Sequence, residues 1–435
     1  MKLESDDLGN AERQQALETE PNEGSRSQDD EEMTEEKKEA WNGSWRTISK
    51  IAATYYGFIV FGMFDSSLGA LLPSIERYYG YSYLIVSLSF LAPFTGYLFA
   101  AVLSDHTHRW LGRGGAGCAG VALQLVCFII SLSGPPPFPL FVVGYGIGGF
   151  GNGTLEASWN SYLGVFDRAN ELTGILHAFY GLGGIICPTV FTAMVENGYQ
   201  WHLCYAVLVG MGSLSLIFVA ITFIKDTPAA YRKSVSFSRD ANNNSSSIRM
   251  VIVNKLVWLL AVALFMYVGS EVTLGGWIST FMINIRHGNP EKMGYVTTGF
   301  WVGITLGRVV LGFVNGRIKK EELLASVYLS SAIVFVLLFW LVPSLILSAI
   351  CAGVIGFFLG PLFPVVVVVA VKKLPRWLHV SGVGFASALG GGGAAILPFV
   401  NGVIADSYGP KILGPFAFSL LSAMFLIWLV VLKFF

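Results

Sequence analysis

Five side chains that could exchange protons or carry charge lie inside otherwise apolar stretches: Asp65, Glu156, His177, Glu271 and Arg308. A carboxylate in hydrocarbon costs several kcal/mol unless it meets a cavity or a partner, so such residues mark water-filled paths or bundle interiors. Glu156 is the most informative. Asn152, Glu156 and Asn160 are spaced i, i+4, i+8, which on a helix makes one polar stripe. Gly149 and Gly153 beside it allow a neighbouring helix to come close. A carboxyl group taken out of water can exchange protons near neutral pH, and its oxygens accept hydrogen bonds from a hydroxylated ligand. The plainer reading is a glutamate hydrogen-bonded for packing alone.

Asp65 lies mid-span between Gly62 and Gly69, with the same two chemical roles or a purely structural hydrogen bond. His177, with an ordinary pKa of about 6.5, suits a proton relay, or a packing hydrogen bond. Arg308 can pair with Glu271 or Glu156, hold an anion, or snorkel to the interface. Gln124, Trp159, Trp277 and Trp301 flank these positions. Aromatic faces stack on sugars and flat organic ligands, but each can equally be core.

The elements that position these groups follow from composition. Of 435 residues, 54% are hydrophobic and 13% charged, against roughly 25% charged in soluble domains. Half of the acidic residues precede residue 41. Residues 1–50 read as an acidic, disordered cytosolic tail, with no apolar core of a signal peptide. The net charge of zero gives no argument for nucleic-acid binding. Cys118, Cys127, Cys187, Cys204 and Cys351 show no metal or redox spacing and read as packing residues.

A crossing helix needs about 20 residues. Twelve such spans are read near 54–73, 82–104, 114–133, 138–161, 172–195, 202–224, 254–284, 293–314, 322–342, 344–370, 379–404 and 411–433. Residues 51–225 and 254–435 thus form two six-helix halves, joined by a polar linker at 226–253. Lys and Arg number fifteen in the loops on the linker's side and four on the other, which places both termini and the linker in the cytosol. The sequons at Asn42, Asn243 and Asn244 are then expected to stay unglycosylated.

The halves repeat. Asp65-Ser-Ser-Leu-Gly69 matches Glu271-Val-Thr-Leu-Gly275 at an offset of 206. Gly149 and Gly153 match Gly356 and Gly360 at 207, and Gly174, Gly181, Gly183 and Pro188 match Gly384, Gly391, Gly393 and Pro398 at 210. Such offsets indicate parallel duplication with a ligand bound between the halves. Phe363 stands where the repeat would place Glu156, so the N-terminal half concentrates the titratable groups.

GFGNGTLEASWNSYLG at 149–164, LTGILHAFYGLGGIICP at 172–188 and GFWVGITLGRVVLGF at 299–313 resemble the major facilitator superfamily. They are most similar to its fucose-permease-like branch and to the fungal membrane proteins of the bypass-of-stop-codon type. The resemblance covers residues 50–435 and implies an all-α membrane fold of twelve helices in two pseudo-symmetric halves. It implies that Asp65 and Glu156 handle sugar and proton. The family's loop between helices 2 and 3 survives as Ala101-Val-Leu103-Ser-Asp105 and, after six residues, Gly112-Arg113, which makes Asp105 and Arg113, with Arg308, candidate gating residues.

The expectation is a proton-coupled secondary active transporter of a small, sugar-like organic solute, monomeric, in the plasma membrane or an intracellular membrane. No G-x-x-x-x-G-K-[ST] is present, so ATP drive is not expected, and no cofactor is called for. The expected proton-coupling set is Asp65, Glu156 and His177. The expected substrate set is Asn152, Glu156, Asn160, Gln124, Trp159, Glu271, Trp277 and Trp301. Proton-driven efflux of a lipophilic fungal metabolite is the alternative. A membrane enzyme or a non-transporting receptor is the third reading, disfavoured because no nucleophile–base pair or metal cluster appears.

Overall fold

The computed structural model describes residues 40–135, 137–232, 251–318, 320–375 and 378–434, with the side chains of Asp105, Asn170, His379, Val380 and Ser381 left aside. The acidic tail before residue 40 and most of the linker therefore lie outside the described residues.

The helices are α1 (Trp45–Tyr79), α2 (83–111), α3 (113–132), α4 (Phe138–Leu163), α5 (Ala169–Glu196), α6 (Tyr205–Thr222), α7 (Lys255–Asn284), α8 (Gly294–Ile318), α9 (Glu321–Leu341), α10 (345–373), α11 (His379–Tyr408) and α12 (Leu413–Phe434). Among the described residues, eleven spans are long and apolar enough to cross a membrane. The twelfth, α4, has 26 residues, a length of about 39 Å. Its glycines, Asn152, Glu156 and Asn160 lower its hydropathy, so the helix with the richest chemistry is the least apolar.

Three boundaries differ from the sequence expectation. α1 begins nine residues early because Ser44 caps it, its hydroxyl accepting from the Thr47 N–H at 3.1 Å. The expected loop between helices 2 and 3 is helical except at Gly112, whose φ of 71° turns the chain. A side chain there would also strike the Asp226 carbonyl, 2.5 Å from its Cβ. Gly114 donates its N–H to that carbonyl at 3.1 Å, which ties the turn to the end of α6. α10 is two pieces, Leu345–Leu359 and Leu362–Lys373. Pro361 and Pro364 lack the N–H groups that would continue it.

The duplication is visible in packing. A Cβ on Gly96 would lie 2.0 Å from the Gly146 carbonyl, and one on Gly303 would lie 2.0 Å from the Gly353 carbonyl. Gly183 meets the Ile59 carbonyl at 2.1 Å as Gly393 meets that of Phe265 at 2.0 Å. These pairs reproduce the sequence offsets. They draw α2 against α4 and α8 against α10, and α1 against α5 and α7 against α11, the way small residues do inside membranes. Gly183→Val is expected to cut the folded yield severalfold, because backbone cannot yield to the new side chain. Gly174→Val, with no atom within 4 Å of its Cβ, is expected to leave yield unchanged; detergent-extracted monomer measures both.

The two halves touch on the face opposite the termini, the outer face. Tyr83 and Phe90 of α2 set their rings 5.7 and 6.3 Å from Trp277 of α7. Gly402 packs on Ser87, and Gly69 meets the Gly275 carbonyl. Towards the terminus face the glycine contacts between the halves, among the described residues, reach Gly181–Thr305 and Phe94–Gly392. Beyond them Gly174, Gly312 and Gly384 have nothing within 4 Å. The space between the halves thus opens towards the termini and is closed on the outer side.

Candidate functional site

Asp65 stands 20 residues into α1 and His177 eight into α5, so both lie deep in the bundle, yet both side chains are exposed and Glu156 is partly so. Depth combined with exposure means an open chamber. Asp65 faces inward: Tyr180 of α5 donates its hydroxyl to Asp65 Oδ2 at 2.9 Å. Asp65 and Glu156 are near enough to repel each other electrostatically. No side-chain hydrogen bond to Glu156 is found among the described residues; only its carbonyl is used, by Asn160 Nδ2 at 3.0 Å.

The facing wall comes from the other half. Arg308 Nη2 of α8 lies 3.1 Å from Glu271 Oε1 and 3.4 Å from Oε2 of α7. Glu271 is buried at 5% and Arg308 is partly exposed. Arg308 Nε also donates a long bond of 3.4 Å to the Gly360 carbonyl. That carbonyl would otherwise serve residue 364, which is a proline with no N–H to offer. Arg308 thus neutralises an acid and caps the break in α10. The hydroxyl of Tyr267 is buried beside the pair, close enough to interact with both groups. His177 and Tyr180 lie within electrostatic range of Arg308, so the charged groups of both halves form one constellation.

A family model for the Major Facilitator Superfamily matches residues 54–375. The chain belongs to the major facilitator superfamily. It is 32% identical over 390 residues to bypass of stop codon protein 6 of Saccharomyces cerevisiae, covering 83% of this chain and 78% of that one. To the glucose/mannose transporter GlcP of Bacillus subtilis it is 24% identical, over 80% of this chain and 86% of the other. The fold matches the crystal structure of the E. coli fucose:proton symporter FucP (TM-score 0.58, 15% identity, 88% and 98% covered). It also matches that of the nucleoside transporter NupG (0.67, 13%, 90% and 100%). The protein is therefore a multi-pass membrane transporter of the secondary type, and not an enzyme.

Within this superfamily frame the expected site residues separate. Asp65, Glu156, His177 and Arg308 share the chamber, with Glu271 behind Arg308. Asn152 and Gln124 do not reach it. Both are 1% exposed, and the Gln124 amide donates to Asn152 Oδ1 across the α3–α4 seam. The polar stripe splits because four residues on a 3.6-residue helix drift by about 40°, which turns Asn152 towards α3 and Glu156 towards the chamber. Trp159 is also core, 1% exposed against Phe58 and Gly57. Trp277 belongs to the outer seal, its indole N–H donating to the Pro398 carbonyl at 3.1 Å. Trp301 is wedged between Gly184 of α5 and Gly275 of α7, with its buried indole N–H unpartnered.

Arg113 stays within its own half, its guanidinium 5.2 Å from the centre of the Tyr162 ring. Asp105 lies outside the residues whose side chains are described. Two residues escaped the sequence reading. Tyr180 offered no signal beyond its place one turn past His177. His108, in a stretch read as loop, is buried at 5% and bonded to Ser104 and to Ser158 of α4; the helical continuation of α2 put it there.

Proposed function

We propose that the protein is a proton-coupled transporter of a small, neutral, sugar-like solute, working by alternating access. The observation that carries this reading is the pair Asp65 and Glu156: two carboxylates in the middle of the membrane, reached from one face while the other face is sealed. A proton on Glu156 removes the charge that holds the chamber hydrated, so the halves can rock about the loaded site. Asp65, steadied by Tyr180, is the acceptor for solute hydroxyls. His177 lies on the same wall as a second proton carrier.

The solute class follows from charge. Arg308 is already matched by Glu271, so among the described residues the chamber lining offers no unpaired cation for an anionic solute. Its carboxylates, tyrosine and histidine favour a hydroxylated ligand over a lipophilic one. A glucose/mannose transporter, a fucose:proton symporter and a D-xylose-proton symporter among the similar proteins agree with that class. We place both termini and the linker in the cytosol on the Lys and Arg bias, which makes the open face cytosolic, and divide the chain at 51–225 and 254–435.

Purified protein in vesicles with an inward proton gradient is expected to accumulate one or more labelled hexoses, 6-deoxyhexoses or pentoses. Dissipating the gradient should abolish accumulation while leaving exchange. Accumulation indifferent to the gradient across the whole panel would sink the proton-coupled reading.

A further inference from the structure

Besides the packing around Trp277, the outer face carries two polar contacts that the repeat relates to each other. At the end of α5, Glu196 reaches across to the start of α8: its Oε1 lies 3.3 Å from Lys292 Nζ, and its Oε2 accepts from the Tyr295 hydroxyl at 3.2 Å. At the end of α11, Asp406 reaches across to the start of α2, where its Oδ1 accepts from the Leu84 N–H at 3.4 Å. Glu196 and Asp406 are 210 residues apart, the offset that relates α5 to α11. Leu84 and Lys292 stand at the matching starts of α2 and α8, 208 apart. Each half therefore ends its fifth helix in an acid that grips the second helix of the other half.

The two grips use different chemistry for one purpose. The N-terminus of α2 lacks a cap of its own, since the Ser82 side chain makes no capping bond. First-turn N–H groups need an acceptor, and a carboxylate there also meets the positive end of the helix dipole. Asp406 is thus a helix cap supplied by the opposite half. Glu196 makes an ion pair and a hydroxyl bond instead, with Lys292 and Glu196 both exposed.

We propose that Glu196 and Asp406 are a pseudo-twofold pair of gating residues that hold the outer face shut and must release together when the transporter opens outward. The proposal rests on the alternating-access reading but not on proton coupling or on the solute. An exposed contact of this kind biases an equilibrium by about fivefold at most, so losing both would shift it by up to about 25-fold.

The test reads the outer opening directly. Spin labels at Leu140→Cys and Ile346→Cys sit at the exposed outer ends of α4 and α10, one in each half. The five native cysteines are buried or half-buried, and their labelling in the unsubstituted protein sets the background. With no solute and no gradient, Glu196→Ala/Asp406→Ala is expected to raise the long-distance population severalfold, and each single variant less. Glu196→Lys with Lys292→Glu restores an ion pair and should return the short distance. Lys292→Ala, which leaves both acids in place but removes the ion-pair partner of Glu196, gives a smaller shift in the same direction and serves if the double variant does not fold. An unchanged distance distribution in the folded double variant, or in Lys292→Ala where that is the one that folds, would overturn the proposal. Because no proton gradient enters, that failure is distinct from failure of the proton-coupled reading, which only the vesicle assay reports.

Discussion

Glu156→Gln is expected to end proton-driven accumulation while leaving exchange of labelled for unlabelled solute largely intact. With one proton per solute, each pH unit supplies about 1.36 kcal/mol, or a tenfold concentration ratio. A gradient of about 2 pH units therefore drives up to about 100-fold accumulation in the unsubstituted protein. Glutamine keeps the shape of the protonated acid, and no side-chain hydrogen bond to Glu156 is found among the described residues. Its substitution thus strands no mapped partner. The halves can still rock, but no proton is picked up or released, so the ratio falls to about one. Asp65→Asn should behave differently, since Asp65 is the acceptor of Tyr180 and the proposed acceptor of solute hydroxyls; it should weaken exchange as well. Gradient-driven accumulation surviving in Glu156→Gln would move the coupling proton to another group.

The fold was legible because membranes leave few options. Backbone in hydrocarbon must satisfy itself, so long apolar runs become helices, and glycines at fixed offsets show which helices touch. Gly149 against Pro93 and Gly356 against Phe300 carry out in space what their 207-residue spacing implied. The site was only partly legible. Spacing placed Asp65 and Glu156 in the interior and left Arg308 open between interior and interface, but could not tell chamber from seam. Gln124 and Asn152 satisfy each other between α3 and α4, a pairing that depends on helix rotation finer than any stripe records. Tyr180 carried no signal because a tyrosine in an apolar span is ordinary; its hydroxyl matters only through the geometry that brings α5 to α1. The span read as continuous at 344–370 breaks at Pro361 and Pro364, which cannot continue the helical hydrogen bonds. That Arg308 would close it was not readable either.

Arg308→Ala is expected to be the most destabilising single change in the chamber. Removing one partner of a buried ion pair leaves an uncompensated charge, at a cost of about 3–5 kcal/mol. Glu271 is the partner left behind at 5% exposure, and the Gly360 carbonyl loses its donor too. Thermal unfolding in detergent should show a fall of several degrees, whereas Arg168→Ala, at an exposed pair 3.7 Å from Glu171, should shift the midpoint little. Glu271→Gln combined with Arg308→Met removes both charges and should recover most of the loss. That double variant also separates two roles. If the C-terminal wall is a neutralised anchor, the stability-restored protein keeps measurable exchange, because proton chemistry resides on Asp65 and Glu156. If Arg308 instead grips the solute, exchange stays lost although the fold has returned. A midpoint for Arg308→Ala no lower than that of Arg168→Ala would mean that water, and not Arg308, balances Glu271, and the chamber would then present a free cation to its cargo.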